Sequence, residues 1–517
     1  MIGFLKSGSL TDGFVIRLNA DVSTEALRIG DFIVVHGGLY DYFGIVEDIK
    51  ISCSNEDVFF DPPQDSLVRD VLTGSVIFSE IKVVPYLMVE HTTNYVHSIK
   101  TIPGHFSEAK KADGEDLDKI FKNVGNLPFH IGHPLTMESE RIFVDLEKLY
   151  MRNNAIFGIT GSGKTFLARI LFSGLISNNA ASLLIFDMHN EYGRFAKTEK
   201  GGKKLQSLKS LFPDKVKVFD VSTKNKDADN FISIPYKDLM PKDFEILAHI
   251  LNYSEKSAET AYLVYRRVGS EWLKYIFGLA ELSSNELEDE AKRIGVNPSA
   301  LSALIRHLMK LKSLDFLKDV EESESGIKEI LKLLKSGISV VIQFSGKSAN
   351  NPLAYFAVAN ILTRRIHDEY AKLEESERDK SRIAIVIEEA HKFLSTSIKE
   401  KNVFGTIARE MRKFNVTLFI IDQRPSEIDP EVLSQVGTRF VMQLMDDRDM
   451  DAVFQGAGGG RNLKTILRSL QPQEVLLFGY AVPMPVAMRV REYDESFFSE
   501  VSSSNKKRPA NEADDLY

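Results

Sequence analysis

The spacing of apolar positions changes twice along the chain. Over the first hundred residues they fall in short runs rich in β-branched and aromatic side chains: Phe14–Leu18, Asp31–Val35, Tyr42–Ile51 and Gly74–Glu90. Turn formers separate these runs at Asp12-Gly13, Gly37-Gly38 and Asp61-Pro62-Pro63. Short strands at this spacing predict a small barrel or sandwich over residues 1–100. The polar stretch from Pro103-Gly104 to about Gly125 reads as a linker with a short helix, and residues 101–150 as a lead-in to a second region. From Ala155 onward, unbroken apolar runs alternate with helical stretches. Ala155–Gly158 reads as a strand and Thr165–Ser177 as a helix. Leu183–Asp187, Val216–Val221, Ile338–Phe344, Ile383–Ile387, Val416–Ile421 and Phe440–Leu444 read as further strands. Runs without polar alternation suit strands covered on both faces, so the pattern predicts an open parallel α/β sheet.

Between Tyr236 and Leu334 the period becomes helical, in Pro241–Leu251, Ala258–Phe277 and Pro298–Leu311, the last opened by Asn297-Pro298. This predicts an all-α insertion over residues 236–335 that divides the α/β core into 151–235 and 336–495. Val475–Phe478 and Val486–Val490 read as two more strands. The polar C-terminus, ending SSNKKRPANEADDLY, is expected to be disordered over residues 496–517.

Composition narrows the classes. The chain has 517 residues, 43% hydrophobic and 27% charged, which suits about three ordinary globular domains. A lone cysteine, Cys53, excludes an internal disulfide and a Cys-rich zinc site, and agrees with a reducing, cytoplasmic setting. No apolar run reaches the ~18 residues of a membrane helix. The opening MIGFLKSGSLTDGF lacks the order of a signal peptide, so no membrane partner is expected. A net charge of −8 argues against a protein coated in nucleic acid, but leaves room for a local basic channel.

The densest chemical signal is Gly158-Ile159-Thr160-Gly161-Ser162-Gly163-Lys164-Thr165, between a strand and a helix. Its glycines let backbone N–H groups curl round a phosphate chain at a helix N-terminus. Lys164 is placed to reach the β- and γ-phosphates of ATP, and Thr165 to hold Mg²⁺ through its hydroxyl. A second apolar run ends in Glu388-Glu389-Ala390-His391. Strand ends are where ligands bind in open α/β sheets. Glu388 fits a place near Mg²⁺ and Glu389 the positioning of the attacking water, unless either caps a helix. A third run ends in Asp422-Gln423. Gln423 is the candidate contact to the γ-phosphate or the water, against a strand-end amide bonded to backbone. Asp187-Met188-His189-Asn190-Glu191 follows another strand. His189 and Glu191 have the chemistry of metal ligands, but an outer Mg²⁺ shell or a relay of nucleotide state suits them better, and His391 reads as a local structural histidine. Arg409 and Arg412 share a helix face, and Arg152 precedes the strand of the glycine-rich loop. Each is either a solvated surface charge or the extra cation that phosphoryl transfer needs.

In this order, GITGSGKT, LLIFDMHNEYG, IAIVIEEAHKFL and IAREMRKFNVTLFIIDQRPSEIDPEVLSQ resemble the HerA family of hexameric DNA translocases, within the FtsK-like branch of P-loop ATPases. The opening MIGFLKSGSLTDGF is similar to that family's N-terminal barrel, and the resemblance runs to about Val490. It implies a RecA-like P-loop ATPase core with an all-α insertion and a small N-terminal β-barrel, six copies forming a ring around DNA. Lys164, Thr165, Glu388, Glu389 and Gln423 match the family's nucleotide-site positions. Arg152, Arg409 and Arg412 match positions from which family members offer arginines across the subunit interface. Met411, Asn415 and Asn190 stand where the family usually has glycines, and Asp422 where it has a small residue.

Family members work with a nuclease, either NurA in end resection or sirtuin-like and other nuclease-type effector subunits in antiphage operons. This chain has no nuclease signature of its own, so a separate nuclease or effector subunit is expected. It would dock on the barrel through residues such as Tyr40 and Tyr42. The expected activity is ATP-driven translocation or unwinding of DNA, with Lys197, Lys200, Lys203, Lys204, Arg266, Arg267 and Lys347 as candidate phosphate contacts. The alternative is an ATP-stabilised hexameric scaffold that switches a bound effector with little processive motion. A small-molecule kinase rarely needs a barrel, a helical insertion and interface arginines together.

Overall fold

The computed structural model describes the chain apart from residues 55–63, 74, 123, 194–195, 198–203, 223–224, 246, 248–250, 252–253, 321–325, 350, 397–402, 457–459 and 507–517. It divides into two units. One comprises Met1–Leu149, Phe157–Lys164 and Gly437–Arg491; the other comprises Tyr150–Ile156, Thr165–Val436 and Glu492–Tyr517.

The first unit opens with a seven-stranded sheet: β1 (Gly3–Ser9), β2 (Gly13–Leu18), β3 (Phe32–His36), β4 (Tyr40–Cys53), β5 (Ile77–Glu90), β6 (Val96–Ser98) and β7 (Glu108–Lys111). Its order is β2-β1-β7-β3-β4-β5-β6, and β2 also pairs with β5, so six of the strands close into a barrel. Alternate residues Phe14, Ile16, Ile33, Val35, Ile81 and Val83 fill the interior. At Gly44 the β4–β5 register shifts, and a Cβ there would lie 2.6 Å from Val84 O, so the strands approach closely only without a side chain.

Two expectations are corrected in this unit. The stretch read as a linker contributes β7, which pairs with β1 and β3. Its only inward apolar side chain is the small Ala109, so it carries no visible hydrophobic alternation. Tyr42, expected at the surface for docking, is a core residue: it packs edge-on to Phe14 and its hydroxyl lies 2.8 Å from Thr101 Oγ1. Tyr40 is half-buried against the same core. The helix expected within the stretch is present as Gly114–Phe121, started by an Asp113 capping box. Beyond it lie β8 (Pro128–Pro134) and β9 (Ile142–Asp145).

The second unit carries β10 (Asn153–Phe157), β11 (Ser182–Asp187), the short pair β12 (Ala196–Lys197) and β13 (Lys204–Leu205), β14 (Val216–Asp220), β15 (Asn230–Phe231), β16 (Ile234–Pro235), β17 (Leu317–Lys318), β18 (Ser339–Gln343), β19 (Ile383–Glu388) and β20 (Val416–Asp422). The strand order is β15-β14-β18-β11-β19-β20-β10, with parallel pairing from β15 to β20. Strands β11, β18, β19 and β20 are buried along their whole length, as their unbroken apolar runs predict. The parallel register brings Asp187, Gln343, Glu388 and Asp422 to one end of the sheet.

Between β16 and β17 the chain is helical, including Glu255–Val268, Trp272–Leu279, Ser284–Ile294 and Pro298–Leu308. Trp272 is fully buried, its indole N–H donating to Leu239 O at 2.8 Å. Asp243 accepts a bidentate bond from Arg364 of the helix Pro352–Tyr370, with Nε at 2.7 Å and Nη2 at 2.9 Å, both side chains buried. After Val436 the first unit resumes with β21 (Val436–Val441), β22 (Glu474–Gly479) and β23 (Val486–Val490), an antiparallel set ordered β21-β22-β23-β8-β9. The tail expected to be disordered instead contains the helix Glu495–Lys506, because Phe497, Phe498 and Val501 are buried and the two phenylalanine rings pack against Tyr493. The tail's residues 507–517 lie outside the described part. Among the described residues no helix is long and apolar enough to cross a membrane.

Candidate nucleotide site

The glycine-rich loop follows β10 directly. Gly158, Gly161 and Gly163 have φ of 158°, 80° and 107°, which let the backbone reverse within a few residues. A Cβ on Gly158 would meet Ser162 Oγ at 2.7 Å and Met442 Cβ at 2.9 Å. Ser162 Oγ donates to Ile159 O at 2.8 Å, while Thr160 and Gly161 are exposed. Lys164 Nζ folds back over the loop and donates to Gly158 O at 2.7 Å and Ile159 O at 2.9 Å. These two loop carbonyls accept from the ammonium.

Thr165 lies in the first turn of the helix Lys164–Ser177 and donates its hydroxyl to Glu191 Oε2 at 2.7 Å. Glu191 is placed by Asp187 at the end of β11, whose buried carboxylate accepts the N–H groups of Glu191, Tyr192 and Gly193 at 2.6, 3.0 and 3.1 Å. Burial raises the Asp187 carboxyl above its usual range against these three bonds. Asn190 takes φ of 58° in this turn, a conformation asparagine adopts more readily than most residues. His189 is exposed, and among the described residues no group of three His, Cys, Asp or Glu side chains is arranged to hold a metal.

Glu388 ends β19 inside the unit. Its Oε1 accepts the Tyr192 hydroxyl at 3.2 Å, while Oε2 is buried and has no hydrogen-bond partner among the described residues. Burial pushes its carboxyl well above the usual range, and the charges of Asp187 and Glu191 push it further. Glu389 is partly exposed and held at φ of 50°, a sparsely populated region for a non-glycine residue. Gln423, just past β20, places its amide nitrogen 3.3 Å from both Glu389 oxygens. The carboxylate of Asp422 is committed elsewhere, to the His391 backbone N–H at 2.6 Å and its ring Nδ1 at 3.0 Å.

The arginines come from two elements tied together by Asn153. Its side chain donates to Ala408 O at 2.8 Å and accepts from Leu418 N–H at 3.0 Å. Arg152 is exposed and Arg409 partly so; the Arg412 side chain lies outside the described part. Lys200 and Lys203, and the side chains of Lys197 and Lys204, also lie outside it, whereas Arg266, Arg267 and Lys347 are exposed.

Sequence patterns missed Arg169, which is buried one turn along the helix. It donates to Glu191 O and lies 5.8 Å from the ring centres of Phe166 and Tyr493. The signal was available: an arginine in an otherwise apolar helix face is costly unless paired.

Residues 129–366 match the family model described as the helicase HerA central domain. That stretch of the chain is similar to the HerA central domain. A probable DNA double-strand break repair helicase HerA of Methanocaldococcus jannaschii is 26% identical over 428 residues, covering 75% of this chain and 80% of that one. A probable helicase of the same organism is 24% identical over 493 residues, covering 93% and 89%. The bacterial conjugative coupling protein TrwB overlays with a TM-score of 0.47 at 13% identity, covering 68% of this chain and 87% of that structure. The resemblance to the HerA family is borne out.

Proposed function

We propose that this HerA-type chain is an ATP hydrolase that moves DNA through a ring of its own copies. The observation that carries the proposal is Glu389, displayed at the end of β19 by strained backbone with its carboxylate under the amide of Gln423. That is the arrangement needed to orient an attacking water. The DNA double-strand break repair helicase HerA it is similar to supports DNA as the substrate.

The loop N–H groups and the start of the helix Lys164–Ser177 bind the phosphates. Lys164 exchanges the carbonyls of Gly158 and Ile159 for phosphate oxygens. The residues present fit Mg²⁺: Thr165 offers a hydroxyl, and the unpartnered Oε2 of Glu388 is an acceptor in a site that a cation would relieve. The ion, when bound, neutralises charge on the phosphate oxygens. Glu389 takes the proton of the attacking water, Gln423 orients it, and Arg152, Arg409 or Arg412 of a neighbouring copy stabilises the transferring phosphoryl group. Six copies in a ring, and a nuclease or effector subunit docked on the barrel, belong to the same proposal. In place of Tyr42, the barrel unit exposes Leu39, Tyr95 and Phe106 for such a subunit.

The test is phosphate release by Lys164→Ala and Glu389→Gln, with and without duplex DNA. Each substitution is expected to lower turnover at least about a hundredfold, with Glu389→Gln still binding ATP. Parent-rate hydrolysis in Lys164→Ala overturns the proposal. DNA-stimulated turnover that weakens with salt supports a motor. ATP-dependent assembly without DNA stimulation supports the scaffold instead.

A further inference from the structure

Two side chains beside Glu389 have no part in the mechanism above. Asp422 ends β20 with its side chain fully buried, and His391 opens the turn after β19 with its side chain 13% exposed. Both Asp422 oxygens lie 3.0 Å from His391 Nδ1; Oδ2 also accepts the His391 backbone N–H at 2.6 Å, and Oδ1 the Arg424 N–H at 2.7 Å. A carboxylate on Nδ1 fixes the hydrogen there. The other ring nitrogen, Nε2, faces Glu389, 3.9 Å from Oε2.

We propose, resting on the assignment of Glu389 to the attacking water, that His391 held by Asp422 is a positioning residue for Glu389 and makes ATP turnover respond to pH. A protonated ring presents an N–H to Glu389 and restrains the carboxylate that Gln423 also contacts. A neutral ring presents a lone pair, and the restraint is lost. The charged groups facing the ring are Asp422 from β20, Glu389 after β19 and Glu427 of the turn Pro425–Glu427, with Lys392 Nζ 4.0 Å from Glu389. The bond from Asp422 raises the His391 pKa above 6.5 against burial, so the charged ring persists to higher pH than a free histidine. Asp422 stands where the HerA resemblance implies a small residue.

The experiment is steady-state ATP hydrolysis by the full chain from mildly acid to alkaline pH. The parent kcat is expected to fall on the alkaline side, with an apparent pKa above 6.5. His391→Gln should lower kcat about tenfold on the acid side, flatten the alkaline limb, and leave KM for ATP within about twofold. Asp422→Asn should move the limb to lower pH; if that variant does not fold, His391→Gln carries the test alone. A parent-like limb in His391→Gln, or a deficit confined to KM, overturns the proposal. Glu389→Gln separates the failures. Parent-rate turnover in that variant defeats the hydrolysis proposal itself. A dead Glu389→Gln beside an unchanged His391→Gln defeats only the positioning role.

Discussion

Asn415 lies one residue before β20 and holds φ of 58°, and Asn190 holds the same φ after β11. Both stand where the HerA resemblance implies glycine, and both solve the same problem: an L-residue pays least for left-handed backbone when its side chain is a short amide. Asn415→Ala is therefore expected to destabilise the chain by about 1 kcal/mol, and Asn415→Gly to be near neutral. Denaturant midpoints of the two variants measure this. The His391–Asp422 pair adds a pH-dependent contribution of known sign. Its folded-state pKa is raised, so its stabilisation is complete below the ordinary value of 6.5 and is lost as pH rises through the raised value. Thermal unfolding of the parent should show that loss, and His391→Gln should not. The P-loop letters were legible because they are contiguous in the chain. The bonds Thr165–Glu191 and His391–Asp422 were not, because they join residues 26 and 31 positions apart that belong to different elements and turns.

At the scale of elements, apolar rhythm found nearly every core strand to within a few residues. It failed at β7, whose residues Glu108–Lys111 are mostly polar and enter the barrel through backbone pairing to β1 and β3. It failed again at Glu495–Lys506, where a polar run hides Phe497, Phe498 and Val501 on one buried face. The helical insertion is held to the core helix Pro352–Tyr370 by the buried Arg364–Asp243 pair. Removing one partner leaves the other charge buried alone. Asp243→Ala is expected to cost about 3 kcal/mol, read as a lower denaturant midpoint. Lys347→Ala, which removes an exposed lysine 3.8 Å from Asp315, should cost almost nothing.

For the whole molecule, chain order and compact units do not coincide. The first unit is assembled from Met1–Leu149, Phe157–Lys164 and Gly437–Arg491, so β8 finds its partner β23 more than three hundred residues later. A fragment of residues 1–122 retains every strand of the closed barrel and the Phe32–Phe121 contact, and is expected to unfold cooperatively. Residues 1–149 add β8 and β9 without β23, exposing a strand edge, and are expected to aggregate. Circular dichroism melts and light scattering of the two fragments distinguish these outcomes. The sequence by itself determined what depends on neighbours along the chain: strand and helix periods, the phosphate loop with Lys164 and Thr165, and the carboxylates at the end of β19. Tertiary structure alone decided what depends on distant segments meeting: the strand that closes the barrel, the burial of Tyr42 and Glu388, and the placing of Gln423 and His391 against Glu389. Periodicity records which face of an element is covered, but not what covers it.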